Sequence, residues 1–209
     1  MFARSGIHAP LDHVATAAGV GPGTLYRHFA SRAELWAAVL EEPLREHLGA
    51  IDRALQDPDP ATGFRRFVLE TCEIDAREDG YADLMNTRFE AIPELQELRT
   101  RIQWGITRIV ARAHSAGAIR PDITTEDLYF VTASNAAIAA ATRAIAPDAW
   151  RRNAALYLDA FTAQNAEALP SPALTVPQLE AVVRPSPGAD PLRRGAEGSA
   201  STRRTKETG

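Results

Sequence analysis

Apolar residues recur along this chain at spacings of three and four, with almost no strict alternation, so the pattern predicts helices throughout and no convincing strand. Leu11, Val14, Ala15 and Ala18 mark a short helix that Gly19 should stop. A second begins at the Gly-Pro-Gly of residues 21–23 and places Leu25 and Phe29 on one side. Ser31 and Glu34 have capping-box spacing ahead of a third, longer helix, which Pro43 should kink or divide. A fourth helix covers residues 64–79, with Phe64, Phe67, Val68, Cys72 and Ile74 among its apolar positions. A long helix closed by Gly117 follows, then one capped by Thr124 or Thr125 that runs to about residue 146, and a last one after Pro147. Prolines at 170, 172, 177, 185, 187 and 191 and a run without apolar periodicity predict a disordered tail. The expected class is all-α, divided as a helix-turn-helix region over 1–42, a helical ligand-binding and dimerisation domain over 43–165, and a Pro/Arg-rich tail over 166–209.

The pattern leaves open what the second helix does. With Val14, Val20, Leu25 and Phe29 turned inward, Pro22, Gly23, Thr24, Tyr26, Arg27 and His28 are left on an outer surface with no acidic residue. A phosphate-cradling loop of the dinucleotide kind would need a preceding strand and a glycine at Thr24, and has neither. Two short helices around a glycine turn are instead the layout of a helix-turn-helix, whose second helix enters the major groove.

Charge and composition sharpen this. The net charge is −4, so no global basic field marks a nucleic-acid binder. The acidity is local: residues 41–98 carry fifteen acidic residues against six arginines, whereas residues 1–40 are slightly positive. The N-terminal region is the ordered part that tolerates an anionic polymer. Lys206 is the only lysine, which excludes a lysine-bearing phosphate loop and a catalytic lysine in the body. One cysteine and no apolar run of spanning length predict a protein of the cytoplasm with no membrane partner. Cys72 reads as an inert core thiol and His114 as a surface residue near a helix C-terminus. Asp75, Asp79, Asp83 and Glu90 read as a solvated acidic face. No nucleophile–base pair or metal-ligand spacing is present, so neither an enzyme, a metal site nor a cofactor is expected.

The stretch VATAAGVGPGTLYRHFASRAELWAAVL resembles the tetracycline-repressor (TetR) family of transcriptional regulators, and SAGAIRPDITTEDL resembles the family's link into its first dimerisation helix. The resemblance implies an all-helical homodimer, reading a double-stranded DNA operator with its N-terminal region and binding a small-molecule effector in its C-terminal domain. It implies DNA contacts from Thr24, Tyr26 and His28, with Arg32 as a basic phosphate contact. Ala9-Pro10 stands where the family usually has a threonine or serine cap. The first seven residues match only the end of the family's first helix. That predicts a natural start upstream, with an apolar-faced helix of about ten or more further residues. The alternative is a small-molecule-binding or interaction dimer that has lost DNA binding with that helix.

In the body, Phe67, Met85, Phe89, Gln103, Trp104 and Asn135, with Thr132 as a further polar anchor, are candidates to line a ligand cavity, apolar with a few polar anchors. Leu128, Val131 and Ile138 from one helix, with Trp150, Leu156, Leu158 and Phe161 from the next, are candidates for a four-helix interface between two copies.

Overall fold

The computed structural model describes residues 11–29, 31–77, 93–162 and 167–183, and these fold as eight helices with no strand among them. They are α1 (Leu11–Ala17), α2 (Pro22–His28), α3 (Arg32–Gln56), α4 (Pro60–Arg77), α5 (Pro93–Ser115), α6 (Asp127–Thr142), α7 (Ala149–Thr162) and α8 (Val176–Val183). The apolar residues gather into two clusters. Val14, Ala15, Leu25 and Leu35, flanked by Leu11, Phe29 and Val39, form a small head from α1, α2 and the start of α3. The larger cluster fills the body between α3, α4, α5, α6 and α7.

Local chemistry sets the ends of the elements. Gly19 has φ of 70°, the left-handed region that costs a glycine little. There the Val20 N–H reaches the Ala15 carbonyl and the Gly19 N–H the Thr16 carbonyl, closing α1 with a Schellman motif. The same pair of bonds, from Ala118 to Ala113 and from Gly117 to His114, closes α5 at a second positive-φ glycine. Ser31 caps α3, its hydroxyl accepting from the Glu34 N–H at 3.1 Å.

Helix α3 is the spine. At 25 residues it begins inside the head cluster and ends deep in the body, and it runs unbroken through Pro43. The expected division at that proline does not occur. Both α4 and α5 press closely against α3. A Cβ on Gly63 would stand 2.5 Å from the Ala54 carbonyl oxygen, and one on Gly105 2.5 Å from Ile51 Cγ2. The C-terminal carbonyls of α3 are collected by one side chain from α5: the Arg112 guanidinium donates to Ala54 and Leu55, each at 3.1 Å, and to Asp57. The Asp57 carboxylate, itself buried, pairs with Arg66 at 2.9 Å.

Several expectations change. Val20 is 38% exposed and lies outside the head cluster, because it follows the Schellman turn rather than a helix face. Neither Thr124 nor Thr125 caps α6 with its hydroxyl. Asp127 reaches back instead and accepts the Thr124 N–H at 2.8 Å. That helix ends at Thr142. His114 is half-buried, its Nε2 enclosed without a hydrogen-bond partner. Part of the predicted tail is ordered. Arg120 donates to the Glu167 carbonyl at 2.6 Å, Asp122 accepts the Leu169 N–H, and α8 follows. Residues 184–209 lie outside the described residues.

The Arg112 clamp yields a stability prediction. Arg112→Met removes a charged donor from three carbonyls, and should lower the unfolding free energy by at least about 1.5–3 kcal/mol. Arg53→Met, which removes a surface pair with Glu70, should cost only about 0–1 kcal/mol. Denaturant unfolding of the two variants makes the comparison; equal losses would contradict it.

Candidate nucleic-acid interface and internal cavity

The outer face of α2 carries little that the fold itself needs. Leu25 is its buried residue, while Pro22, Gly23, Tyr26, Arg27 and His28 are exposed, Tyr26 at 52%. Thr24 is half-buried at the edge, 3.4 Å from the Arg27 guanidinium. A Cβ on Gly21 or Gly23 would meet nothing within 4 Å, so packing inside this chain does not require those glycines. The first turn has no acidic residue and the last has Arg27 and His28. The face thus presents a hydroxyl, a phenol, a guanidinium and an imidazole together, groups that donate to phosphates and base edges. The side chain of Arg32, at the start of α3, lies outside the described residues.

The body holds a cavity of about 300 Å³. Phe67, Val68, Thr71 and Asp75 of α4 form one wall, with His47 of α3 beside them. Ile102, Gln103, Ile106 and Arg99 of α5 face Leu128, Tyr129, Val131, Thr132 and Ala133 of α6, and Leu179 of α8 joins the lining. Most of this surface is apolar; its polar end is unusual. His47 and Asp75 are both buried, with His47 Nε2 3.5 Å from Asp75 Oδ1 and His47 Nδ1 2.8 Å from the Pro43 carbonyl oxygen. Both ring nitrogens therefore face acceptors, an arrangement that suits the doubly protonated ring. Burial by itself lowers the imidazole pKa, but the Asp75 hydrogen bond and charge, the Pro43 carbonyl and the charge of Glu46 together raise it above 6.5. Next to this pair, the buried Thr71 hydroxyl has no hydrogen-bond partner.

The cavity corrects much of the predicted lining. Phe67, Gln103 and Thr132 are in place. Trp104 is not: it follows Gln103 on α5 and points outward, 68% exposed. Asn135 is fully buried but away from the cavity, donating to the Cys72 carbonyl and accepting from Asn153, so it joins α4, α6 and α7. Met85 and Phe89 lie outside the described residues, as do Asp79, Asp83 and Glu90 of the predicted acidic face. Leu128 and Val131, expected at an interface, line the cavity from α6. Trp150, Leu158 and Phe161 are likewise buried within the single chain. Of that set, Ile138 is half-exposed and Leu156 is exposed. The large apolar side chains that α6 and α7 do expose are Phe130 and Leu156. Asp75, expected on a solvated face, is in the wall, and its partner His47 carries no local motif; only their placement on two packed helices brings them together. Cys72 is a sealed core thiol, its pKa pushed up to about 12 by burial and then by the Asp75 charge.

The raised His47 pKa has a definite sign in stability. Such a group contributes fully below its unfolded value, near 6.5, and its contribution is lost as pH rises through the higher folded value. The stability advantage of the native chain over His47→Gln should therefore be greatest in mild acid and shrink toward pH 9. Thermal melts of both proteins between about pH 5.5 and 9 check this; a constant difference would contradict it.

Comparison with known proteins accounts for both regions. Residues 1–39 match the model of "Bacterial regulatory proteins, tetR family", and residues 59–162 match "Transcriptional regulator SbtR-like, C-terminal domain". The chain is 26% identical over 137 residues to the HTH-type transcriptional regulator TtgR of a Pseudomonas putida strain, covering 60% of this chain and 65% of that protein. It has the same identity and coverage with ArpR, a probable HTH-type transcriptional regulator of Pseudomonas putida. It therefore spans just under two thirds of the length of these relatives. Among solved structures, the TetR family transcriptional regulator PfmR from Thermus thermophilus shares the fold. The TM-score is 0.56 at 20% identity, over 79% of this chain and 94% of PfmR. The TetR transcriptional regulator SCO0520 from Streptomyces coelicolor is 27% identical with a TM-score of 0.50, over 79% of this chain and 93% of the other. With one family model on the head and another on the body, this chain belongs to the TetR family of DNA-binding transcriptional regulators.

Proposed function

We propose that this protein is a ligand-responsive repressor that binds a near-palindromic operator as a homodimer and releases it when a small molecule fills the cavity. The observation that carries the reading is α3 itself. Its first turns support the recognition helix through Leu35 and Val39, and about two turns beyond Val39 it supplies His47 to the cavity wall. A ligand that favours one position of His47 relative to α4 therefore biases the tilt of the head. Bound to DNA, the two recognition helices should sit about 34–36 Å apart, one turn of the duplex.

The exposed apolar residues of α6 and α7 support the dimer. Phe130 is 44% and Leu156 58% exposed, and alanines at 137, 140 and 141 leave the outer side of α6 slim enough for close helix approach. The outward set differs in part from the one that periodicity picked out, and Leu156 and Ile138 belong to both. Head and body residues thus serve different partners: DNA for α2, a second copy for α6 and α7, and an effector for the space between α4, α5 and α6.

The test is electrophoretic mobility shift on the gene's own upstream region at low salt, with and without candidate ligands. No shift at any protein concentration would overturn the reading. Tyr26→Phe should weaken binding by about 1.5–3 kcal/mol through loss of a hydrogen bond to a charged phosphate. Arg32→Ala should weaken binding on all sequences and flatten the salt slope, whereas Thr24→Ala should alter sequence preference. Unchanged affinity in all three would place the contact surface elsewhere. Phe130→Asp combined with Leu156→Asp should yield a folded monomer in sedimentation; a persisting dimer would move the interface off these helices.

A further inference from the structure

The polar end of the cavity specifies what kind of molecule fits. Its charged groups are His47, Asp75 and Arg99. His47 and Asp75 face each other and cancel, and Arg99 has an interaction of its own. A ligand bringing a full charge would add it, desolvated, beside a His47–Asp75 pair whose charges already offset each other. The Thr71 hydroxyl is different. The residue is only 6% exposed and beside the pair, and its hydroxyl is enclosed with no acceptor for its proton and no donor to its lone pairs. Leaving such a group unpaired costs the empty protein free energy, which a ligand with a matching head recovers. The rest of the lining is mostly apolar, from Phe67, Val68, Ile102, Ile106, Leu128 and Val131, with Gln103, Thr125, Tyr129 and Thr132 as its other polar members. At about 300 Å³ the space lies at the small end of ligand cavities.

We propose that the cavity takes a small, uncharged, largely apolar molecule bearing one hydrogen-bonding head, and that the Thr71 hydroxyl reads that head. The regulatory meaning of this rests on the effector reading above; the ligand class itself does not. A matched set of probes separates the possibilities: 1-naphthol, naphthalene, 1-naphthoate and 1-naphthylmethylammonium have similar bodies and differ in the head. Binding to the full chain without DNA, followed by calorimetry or competition fluorescence at neutral pH, should rank 1-naphthol about tenfold or more above each of the other three.

Thr71→Val keeps the shape and removes the hydroxyl. It should bring 1-naphthol down to the level of naphthalene while leaving naphthalene affinity and the melting temperature unchanged or raised. Thr71→Ser should retain the preference. A purely structural threonine would give the opposite: a lower melting temperature and an unaltered ratio of the two affinities. The proposal is overturned if a charged probe binds as tightly as 1-naphthol, if Thr71→Val leaves the preference intact, or if no probe binds the native protein. If 1-naphthol binds as expected but leaves operator affinity unmoved, the ligand class stands and the effector reading falls.

Discussion

The His47 ring holds the structure together at its one built-in weak point. Pro43 has no N–H to give to the carbonyl four residues before it, so α3 loses a rung halfway along a helix of roughly 37 Å. One turn later His47 donates back to the Pro43 carbonyl with one nitrogen and faces the Asp75 carboxylate with the other. The side chain thereby fastens the softened stretch of α3 to α4. Above it α3 answers to the head, and below it to Ile51, Gly105 and the Arg112 clamp. The helix runs on through the proline, and a buried contact with α4 sits one turn beyond it. The same contact forms the end wall of the cavity, so occupancy and helix geometry share a residue.

What could be read from the amino acids alone depended on how far apart the interacting groups lie. Helix starts and stops were legible where their causes are local: Gly19 and Gly117 at positive φ, Ser31 with Glu34, the proline at 22; α4, by contrast, begins at Pro60, inside a segment that reads as a turn. The head was legible for the same reason, since α1, α2 and the start of α3 form one short contiguous segment. Faces were harder. Helix α6 is apolar almost all the way round, so periodicity could not tell the side carrying Leu128 and Val131, which faces inward, from the side carrying Phe130, which does not. Trp104 illustrates the converse: size argued for burial, whereas its position on α5 turns it to solvent.

The polar interior was invisible for a different reason. His47 with Asp75, and Asn135 with both the Cys72 carbonyl and Asn153, are pairs between separate helices. Each residue taken singly looks like an ordinary surface group, and an acidic residue among others on α4 looks like solvent-facing charge. Burial converts them into cross-links, because a polar group removed from water must find its partner in the protein. Thr71 stands out against that rule. It is a hydroxyl that the fold encloses and does not satisfy.

Leu179 gives the cavity wall a member from outside the packed helices of the body. It comes from α8, a helix with no core residue among its described side chains, joined to the body through a segment that is fastened at Arg120 and Asp122. A mutation there reshapes the space without touching the packing of α3 to α7 or the head that meets DNA. Selection can therefore explore new chemical signals along the chain's end at little risk to folding or to operator choice. Closely related regulators of this design would then diverge first in residues 167–183, and only afterwards in the helices that enclose the rest of the cavity.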